Sequence, residues 1–114
     1  MRVINKHILI KIIQKNKGNT RLIQSIEQLI NDIEQSHWKN PAELTANRPD
    51  ADCVYGGEFY FFNIHIHRAM ILIEFTDNGE ATIVWAGNHD DYEKTFKNNR
   101  NVIKKWLSNH HWIQ

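Results

Sequence analysis

Three side chains that can move protons or hold phosphate charge follow a strand-like stretch, 81–86. They are His89, Tyr92 and Lys94. An imidazole titrates near neutral pH, a phenol can donate a proton, and an ammonium group can neutralise a phosphate oxygen. The alternative is structural, because the preceding Gly-Asn pair favours a turn and Asp90 can cap a helix. The segment therefore indicates a candidate site whose chemistry depends on what surrounds it.

The composition favours one globular domain over residues 1–114. Hydrophobic residues make up 41% of the chain and aromatic residues 11%, which is enough to build a single core. The lone Cys53 excludes an intramolecular disulfide, and paired CxxC elements typical of zinc sites are absent. No apolar run has the length of a membrane helix, and the N-terminus lacks a signal-peptide pattern. These features predict a cytoplasmic protein with no metal and no other cofactor.

The net charge of +1 excludes a strong positive field around the whole molecule. Any affinity for nucleic acid must therefore come from local clusters of basic residues. Two such clusters occur, and solvated surface is the alternative explanation for both. One contains Lys94, Lys97, Arg100, Lys104 and Lys105, and the other contains Arg2, Lys6, Lys11, Lys15 and Lys17.

Hydrophobic spacing predicts two N-terminal helices. Residues 1–4 can form an edge strand, and Asn5 can cap a helix over 6–15. A second helix is predicted over 20–35, because its apolar residues recur every three or four positions. We expect the two helices to pack as a pair.

The rest of the chain predicts a sheet and a last helix. Proline, glycine and asparagine residues predict a long irregular connection over 36–57. Three strands are predicted at 58–65, 68–75 and 81–86, and short links between them favour an antiparallel meander. A C-terminal helix is predicted over 98–109. The predicted fold class is α/β, of α+β type: an N-terminal helical pair packed on a small, mainly antiparallel sheet, with a C-terminal helix.

A series of short motifs resembles HigB-type toxins of the RelE-like superfamily of toxin-antitoxin systems. Each motif is weak alone, but their order and spacing are similar to those of the family over roughly residues 2–95. The motifs are Trp38-x-x-Pro41-x-x-Leu44, Ala51-Asp52, Gly57, Phe62-Asn63-Ile64, a strand that begins at Arg68, and Gly87-x-His89-x-x-Tyr92-x-Lys94.

The resemblance implies an mRNA interferase, an endoribonuclease that cleaves mRNA, generally on the ribosome. It also implies a RelE-like fold and inhibition by a HigA-like antitoxin with a helix-turn-helix domain. Cleavage of this kind needs no metal when the ribose hydroxyl attacks the neighbouring phosphate. The enzyme must then move two protons and stabilise the charge that develops.

For this reaction His89 is the candidate general acid or base, and Arg68 is the candidate phosphate ligand. Lys94 can share the work of Arg68. Tyr92 can orient His89, donate to the leaving oxygen or stack on a displaced base, and the sequence does not choose between these roles. Candidate RNA contacts beyond these four are Asn63, Lys97 and Arg100. The alternative for Asn63, which the sequence favours, is a hydrogen-bonding residue at the end of a strand.

The chain departs from the family pattern between the Phe62-Asn63-Ile64 motif and the strand that begins at Arg68. It reads His65-Ile66-His67-Arg68, about two residues shorter than the family's glycine-containing turn, which predicts a tighter hairpin. A shift of register by one residue would turn Arg68 to the other sheet face. His65 and His67 also raise a metal hypothesis with His89 as a third ligand, which holds only if both lie on one strand.

The sequence also allows a second class of function. A catalytically weak toxin homologue can act as an antitoxin-binding module in a DNA-binding repressor complex. The near-neutral charge and the altered hairpin suit this interpretation. Cleavage assays separate the two classes, because a binding module never cuts RNA.

Overall fold

A computed structural model describes residues 1–114 and shows an α+β fold of five helices and five strands. The three N-terminal helices precede most of the sheet, and the other two follow it. In chain order the elements are β1 (Arg2–Ile4), α1 (His7–Lys15), α2 (Thr20–Glu34), α3 (Pro41–Asn47), β2 (Asp52–Tyr55), β3 (Phe59–Ile64), β4 (His67–Glu74), β5 (Glu80–Asn88), α4 (His89–Phe96) and α5 (Arg100–Asn109).

The five strands form one sheet in the order β1-β5-β4-β3-β2. Strands β2 to β5 pair antiparallel, which confirms the predicted meander. Strand β1 lies at the edge, as predicted, and pairs parallel with β5. The sheet is therefore mainly antiparallel, with one parallel pair at the β1 edge.

Helices cover both faces of the sheet, so the chain has two hydrophobic clusters instead of the single core that we predicted. Strand side chains alternate between the two faces, and each face needs its own helical cover. Leu9, Leu22 and Leu44 of α1, α2 and α3 belong to the cluster on one face. Tyr92 and Phe96 of α4, with residues of α5, belong to the cluster on the other.

The predicted N-terminal helical pair is confirmed, with one difference at its start. Asn19 caps α2 by accepting a hydrogen bond from the Leu22 N–H at 3.1 Å. The prediction that Asn5 caps α1 is wrong. Asn5 has a positive φ of 64°, and its side-chain amide donates instead to the Ile83 carbonyl of β5 at 3.3 Å. Asn5 therefore fixes the turn between β1 and α1 to the sheet.

The prediction of an irregular connection over 36–57 is wrong, because this segment contains α3 and β2. Asn40 caps α3 by accepting from the Glu43 N–H at 2.9 Å, and Pro41 occupies the first turn, where a missing N–H costs nothing. Strand β2 is short and pairs with β3 along one edge only. Both elements depend on their neighbours, and so hydrophobic periodicity does not reveal them.

An ion-pair network ties this segment to the end of β3. The half-buried Arg48 donates to Asp32 at 3.0 Å, to Asp50 at 2.8 Å and to the Asn63 carbonyl at 3.3 Å. Asp50 in turn accepts from the Asn63 N–H at 2.9 Å. Because β2 does not extend this far, Arg48 and Asp50 satisfy the backbone of β3 in its place. The end of β3 is thereby held in a fixed position.

The hairpin between β3 and β4 is as tight as its shortened sequence predicts. Ile64 pairs with His67, so only His65 and Ile66 form the turn. His65 adopts a positive φ of 60°, as two-residue hairpin turns require.

None of the helices has the length and apolar character that a membrane-spanning segment needs.

Candidate functional site

The structure places Arg68 directly over the ring of Tyr92. Arg68 is the second residue of β4, and its side chain projects to the face that α4 covers. The guanidinium carbon lies 4.5 Å from the centre of the Tyr92 ring, within the range of a cation–π contact. The register therefore brings together two residues that the sequence proposed for the site.

No carboxylate neutralises Arg68. The six ion pairs of the chain use Arg2, Lys6, Arg48, His89 and Arg100, and Arg48 contributes two of them. The Arg68 side chain is neither fully buried nor fully exposed. A stacked guanidinium without an acidic partner keeps its hydrogen-bond donors free for an anion such as a phosphate.

Tyr92 is a rigid support for this guanidinium. Its side chain is buried, and its hydroxyl donates to the Asn98 side-chain carbonyl at 2.9 Å. The Phe61 ring meets it edge-on at 5.1 Å between ring centres, and Phe96 packs at 5.9 Å. Of the three roles left open for Tyr92, stacking on a displaced base conflicts most with this arrangement, since Arg68 covers the ring.

Gly87 explains how α4 approaches the sheet closely enough for this contact. It pairs with Arg68 in the β4–β5 register. A Cβ atom at Gly87 would lie 2.8 Å from the Trp85 ring and 3.1 Å from the Asp91 Cβ, closer than such atoms normally approach. Asn88 then caps α4 by accepting from the Asp91 N–H at 2.8 Å. The cap is Asn88, and the prediction that Asp90 has this role is wrong.

His89 is the first residue of α4 and is open to solvent. Its side chain is 72% exposed, and its Nε2 lies 3.9 Å from a carboxylate oxygen of Glu93 one turn later. Tyr92 is also about one turn along the helix from His89, since side chains three and four residues apart are neighbours on a helix. His89 is therefore exposed and lies about one helical turn from Tyr92.

Asn63 lies on the strand next to Arg68. The two residues are direct partners in the β3–β4 register, so their side chains project from the same face of the sheet. The Asn63 side chain is exposed, while its backbone is held by Arg48 and Asp50. The candidate site thus has an amide beside the guanidinium.

The other predicted site residues lie farther from this cluster. Lys94 is two residues from Tyr92, so it projects from the opposite, solvent-exposed side of α4. Lys97 follows the end of α4 in a left-handed conformation. Arg100 donates to the Cys53 carbonyl at 2.7 Å and lies 3.6 Å from Asp52, which ties α5 to β2. The structure does not bring these three residues to the Arg68–Tyr92 contact.

Sequence reasoning did not single out His67 as a buried group or Asn98 as the partner of Tyr92. His67 is buried beside Arg68, and its Nδ1 has no hydrogen-bond partner. Burial lowers the pKa of His67 below its ordinary value of 6.5; Asp91 opposes this effect and His65 adds to it. The neighbouring Asn99 caps α5, a role that its residue type indicates, but no sequence signal marks Asn98 as the partner of Tyr92.

The metal hypothesis fails in its geometry. His65 lies in the hairpin turn with a positive φ, whereas His67 begins β4, so the two residues do not alternate along one strand. The structure contains no group of three or more His, Cys, Asp or Glu residues that could hold an ion.

A polar groove of about 540 Å³ lies at the other end of the sheet. Met1, Trp38 and the turn between β4 and β5 form its walls. Arg68 and Gly87 pair at the opposite end of these two strands, so the groove is separate from the candidate site. We place the candidate site at the Arg68–Tyr92 contact, because that is where the residues with suitable chemistry meet.

The fold agrees with the class of protein that the sequence motifs resemble. A five-stranded, mainly antiparallel sheet with helices on both faces is compatible with the fold of RelE-like toxins. The family model for the HigB toxin, described as the RelE-like toxic component of a toxin-antitoxin system, matches residues 22–95. Because the match covers more than half of the chain, the protein belongs to the HigB toxin family.

The region matched by the family model contains most of the candidate site residues. It includes Asn63, Arg68, His89, Tyr92 and Lys94, but it ends before Lys97 and Arg100. Membership of this family implies an antitoxin partner. No curated protein and no solved structure matches the chain.

Proposed function

We propose that the protein is an mRNA interferase, an endoribonuclease that inhibits translation by cleaving mRNA on the ribosome in the cytoplasm. The observation that carries this proposal is the Arg68 guanidinium, which lies over the Tyr92 ring and has no carboxylate partner. The antitoxin would be of the HigA-like helix-turn-helix type. The reaction requires no metal and no other cofactor.

In the proposed reaction the ribose 2′-oxygen attacks the adjacent phosphorus and the bond from phosphorus to the 5′-oxygen breaks. The products are a 2′,3′-cyclic phosphate and a 5′-hydroxyl. One proton leaves the 2′-hydroxyl and another reaches the departing 5′-oxygen. We assign His89 to proton transfer, because its imidazole is exposed and lies about one turn of α4 from Tyr92.

Arg68 holds the non-bridging oxygens of the scissile phosphate in this mechanism. Its contact strengthens as negative charge builds on these oxygens, which is the source of its catalytic effect. The Tyr92 ring supports the guanidinium, and the ring itself is held by the hydrogen bond from its hydroxyl to Asn98. Asn63 contacts the RNA beside Arg68.

Three further basic side chains are proposed to contact RNA away from the scissile phosphate. Lys94, Lys97 and Arg100 are all exposed and follow Tyr92 in sequence. None of them contacts Arg68, so we assign them to the RNA on either side of the cleaved bond. Lys94 therefore shares the electrostatic work without touching the scissile phosphate.

Primer extension on an mRNA in the presence of ribosomes tests the proposal. The wild-type protein should produce defined cleavage sites, and His89→Ala should lower the cleavage rate by about 100-fold or more. His7→Ala is a matched control, since His7 is also an exposed histidine at the first position of a helix. It should cleave as the wild type does.

A different outcome supports the second class of function. If the wild-type protein never cuts mRNA but still binds its antitoxin, it is a binding module in a repressor complex. If the wild type cuts and His89→Ala cuts equally well, the enzyme assignment survives and the role of His89 is wrong.

A further inference from the structure

The turn between β3 and β4 carries the most exposed large apolar side chain of the protein. Ile66 is 55% exposed, and the only other large apolar residue that is exposed is Ile10, at 39%. The turn has just two residues, His65 and Ile66, which we call the hairpin tip. More than half of the Ile66 surface therefore makes no contact within the protein.

The conformation of the hairpin tip does not explain why an isoleucine is present. Two-residue turns favour asparagine, aspartate and glycine, because these residues tolerate a positive φ. His65 adopts the positive φ of this turn, and Ile66 does not. Isoleucine is branched at Cβ and is more typical of strands than of turns. The turn therefore gains nothing from the Ile66 side chain.

The hairpin tip lies beside the candidate phosphate ligand. Ile66 precedes Arg68 by two residues, so their Cα atoms are at most about 7 Å apart. Asn63, on the other strand of the hairpin, pairs directly with Arg68 and is exposed. A base attached to a phosphate at Arg68 is therefore within reach of the Ile66 side chain.

The base of the hairpin is held in place by side chains from outside it. Arg48 donates to the Asn63 carbonyl at 3.3 Å, and Asp50 accepts from the Asn63 N–H at 2.9 Å. The Arg48 guanidinium carbon also lies 5.7 Å from the centre of the Phe62 ring. Because the tip adds only two residues to this base, its position relative to Arg68 is fixed.

The proposed cleavage needs an RNA strand whose bases are separated at the cleaved bond. The 2′-oxygen must approach phosphorus in line with the departing 5′-oxygen, and a regularly stacked strand holds it away from that line. Apolar side chains, isoleucine among them, unstack base steps in nucleic acids by inserting between them. An exposed isoleucine on a firmly held turn has the character that such an insertion requires.

We propose that Ile66 inserts between the two bases that flank the scissile phosphate and separates them for in-line attack. This inference rests on the proposed function, because it concerns the same RNA at the same site. Arg68 holds the phosphate, while Ile66 sets the arrangement of the two nucleotides joined by it. The contact requires no particular base, since every base has a flat face that an apolar side chain can cover.

A protein partner fits the hairpin tip less well. The buried centre of a stable protein interface combines several apolar and aromatic side chains. The exposed neighbours of Ile66 in the hairpin are polar, namely Asn63 and His65, and no second large apolar side chain is exposed there. A single isoleucine suits the narrow gap between two bases.

The test compares Ile66→Gln with Ile10→Gln, a matched control at the other exposed isoleucine. Ribosomes carry an mRNA with 2-aminopurine beside the cleavage site mapped for the wild type and a 2′-deoxy nucleotide that prevents cleavage. 2-Aminopurine fluoresces more strongly when it is unstacked, so wild-type binding should raise its fluorescence. Ile66→Gln should lose this increase while its affinity for the complex stays within about threefold of the wild type. Ile10→Gln should keep the increase.

Single-turnover cleavage of the unmodified mRNA gives a second readout. The rate constant should fall by about tenfold or more in Ile66→Gln, because binding energy that distorts the substrate is lost from the chemical step. Ile66→Leu keeps an apolar side chain of the same size and should retain both the rate and the fluorescence increase. Both Ile66 variants should unfold at the wild-type temperature, because Ile66 is exposed.

Four outcomes would overturn the inference. If the wild type cuts mRNA and Ile66→Gln keeps both its rate and its fluorescence increase, the inference is wrong and the proposed function stands. A slower Ile66→Gln that still unstacks the base shows that Ile66 does not separate the bases. A variant that cleaves normally but loses its antitoxin assigns the hairpin tip to a protein interface. A wild-type protein that never cuts mRNA overturns both proposals.

Discussion

At the scale of single residues, the contact between Arg68 and Tyr92 separates two functions of a tyrosine. The ring carries the guanidinium at 4.5 Å, and the hydroxyl donates to Asn98. If the ring is the functional part, the hydroxyl matters for stability and much less for cleavage. If the hydroxyl gives a proton to the leaving oxygen, its loss must slow the reaction.

Tyr92→Phe distinguishes these roles. We expect the free energy of unfolding to fall by about 1 kcal/mol, because one hydrogen bond is lost. We expect kcat for mRNA cleavage to stay within about threefold of the wild type, because the ring remains under Arg68. Denaturant unfolding and single-turnover cleavage measure the two quantities. A loss of about 100-fold in kcat would instead show that the hydroxyl transfers a proton.

His67 gives a prediction about pH. Its pKa is lowered from 6.5, mainly by burial, so folding favours the neutral imidazole. The unfolded chain therefore binds more protons as the pH falls below 6.5, and the free energy of unfolding should decrease there. Above about 6.5 this contribution is fully present. Urea unfolding at pH 7.5 and 5.5 measures the change.

The variant His67→Gln should lose less stability between these two pH values than the wild type loses. His7→Gln removes an exposed histidine and should keep the wild-type dependence. The explanation is wrong if the His67 variant and the wild type lose equal stability on acidification.

At the scale of elements, the site depends on how α4 folds back against the sheet. Strand β5 runs directly into α4, and Gly87 and Asn88 are the residues at this junction. Gly87 leaves room for the Trp85 ring and for Asp91, and Asn88 caps the helix. The residues just before His89 therefore position α4, with the glycine allowing the helix to approach Arg68.

Gly87→Ala should destabilise the protein by about 1–3 kcal/mol, because the added methyl group overpacks the contact with the Trp85 ring. Cleavage should also fall, as α4 moves away from Arg68. Gly18→Ala is the control, since a Cβ there meets nothing within 4 Å and its backbone does not need glycine. A Gly87→Ala variant as stable as the control would show that the junction tolerates the methyl group.

Some helices and strands could be predicted from the sequence, and others could not. Helices α1, α2 and α5 were predicted within about two residues of their bounds, since each carries its own apolar stripe. Strands β3 to β5 were predicted from aromatic and branched residues and a turn signal. Helix α3 and strand β2 could not be recognised, because α3 has few turns and β2 is stabilised through β3 and the Arg48 network.

At the scale of the whole molecule, the site joins residues that are distant in sequence. Residue types and the family resemblance singled out Arg68, His89 and Tyr92, but only the register of β4 with β5 and the packing of α4 place Arg68 on Tyr92. Sequence alone could not decide this register, because a shift by one residue reverses the sheet face. Lys94 shows the converse: it is near Tyr92 in sequence but on the other side of α4.

The charge distribution is a second property of the whole molecule. The net charge of +1 predicts weak attraction to RNA, yet the two ends of the chain are basic and lie on opposite faces of the sheet. The acidic middle of the chain supplies the partners of Arg2, Lys6, Arg48 and Arg100. The local distribution of charge therefore describes this protein better than its net charge of +1 does.

The most direct test of the account is the rate of ribosome-dependent mRNA cleavage by Arg68→Ala. Arg2→Ala is the matched control, because Arg2 is an exposed arginine at the other end of the sheet. We predict that Arg68→Ala loses about 100-fold or more in kcat/KM while its fold and antitoxin binding persist, and that Arg2→Ala cleaves like the wild type. Wild-type cleavage by a folded Arg68→Ala variant would contradict the account.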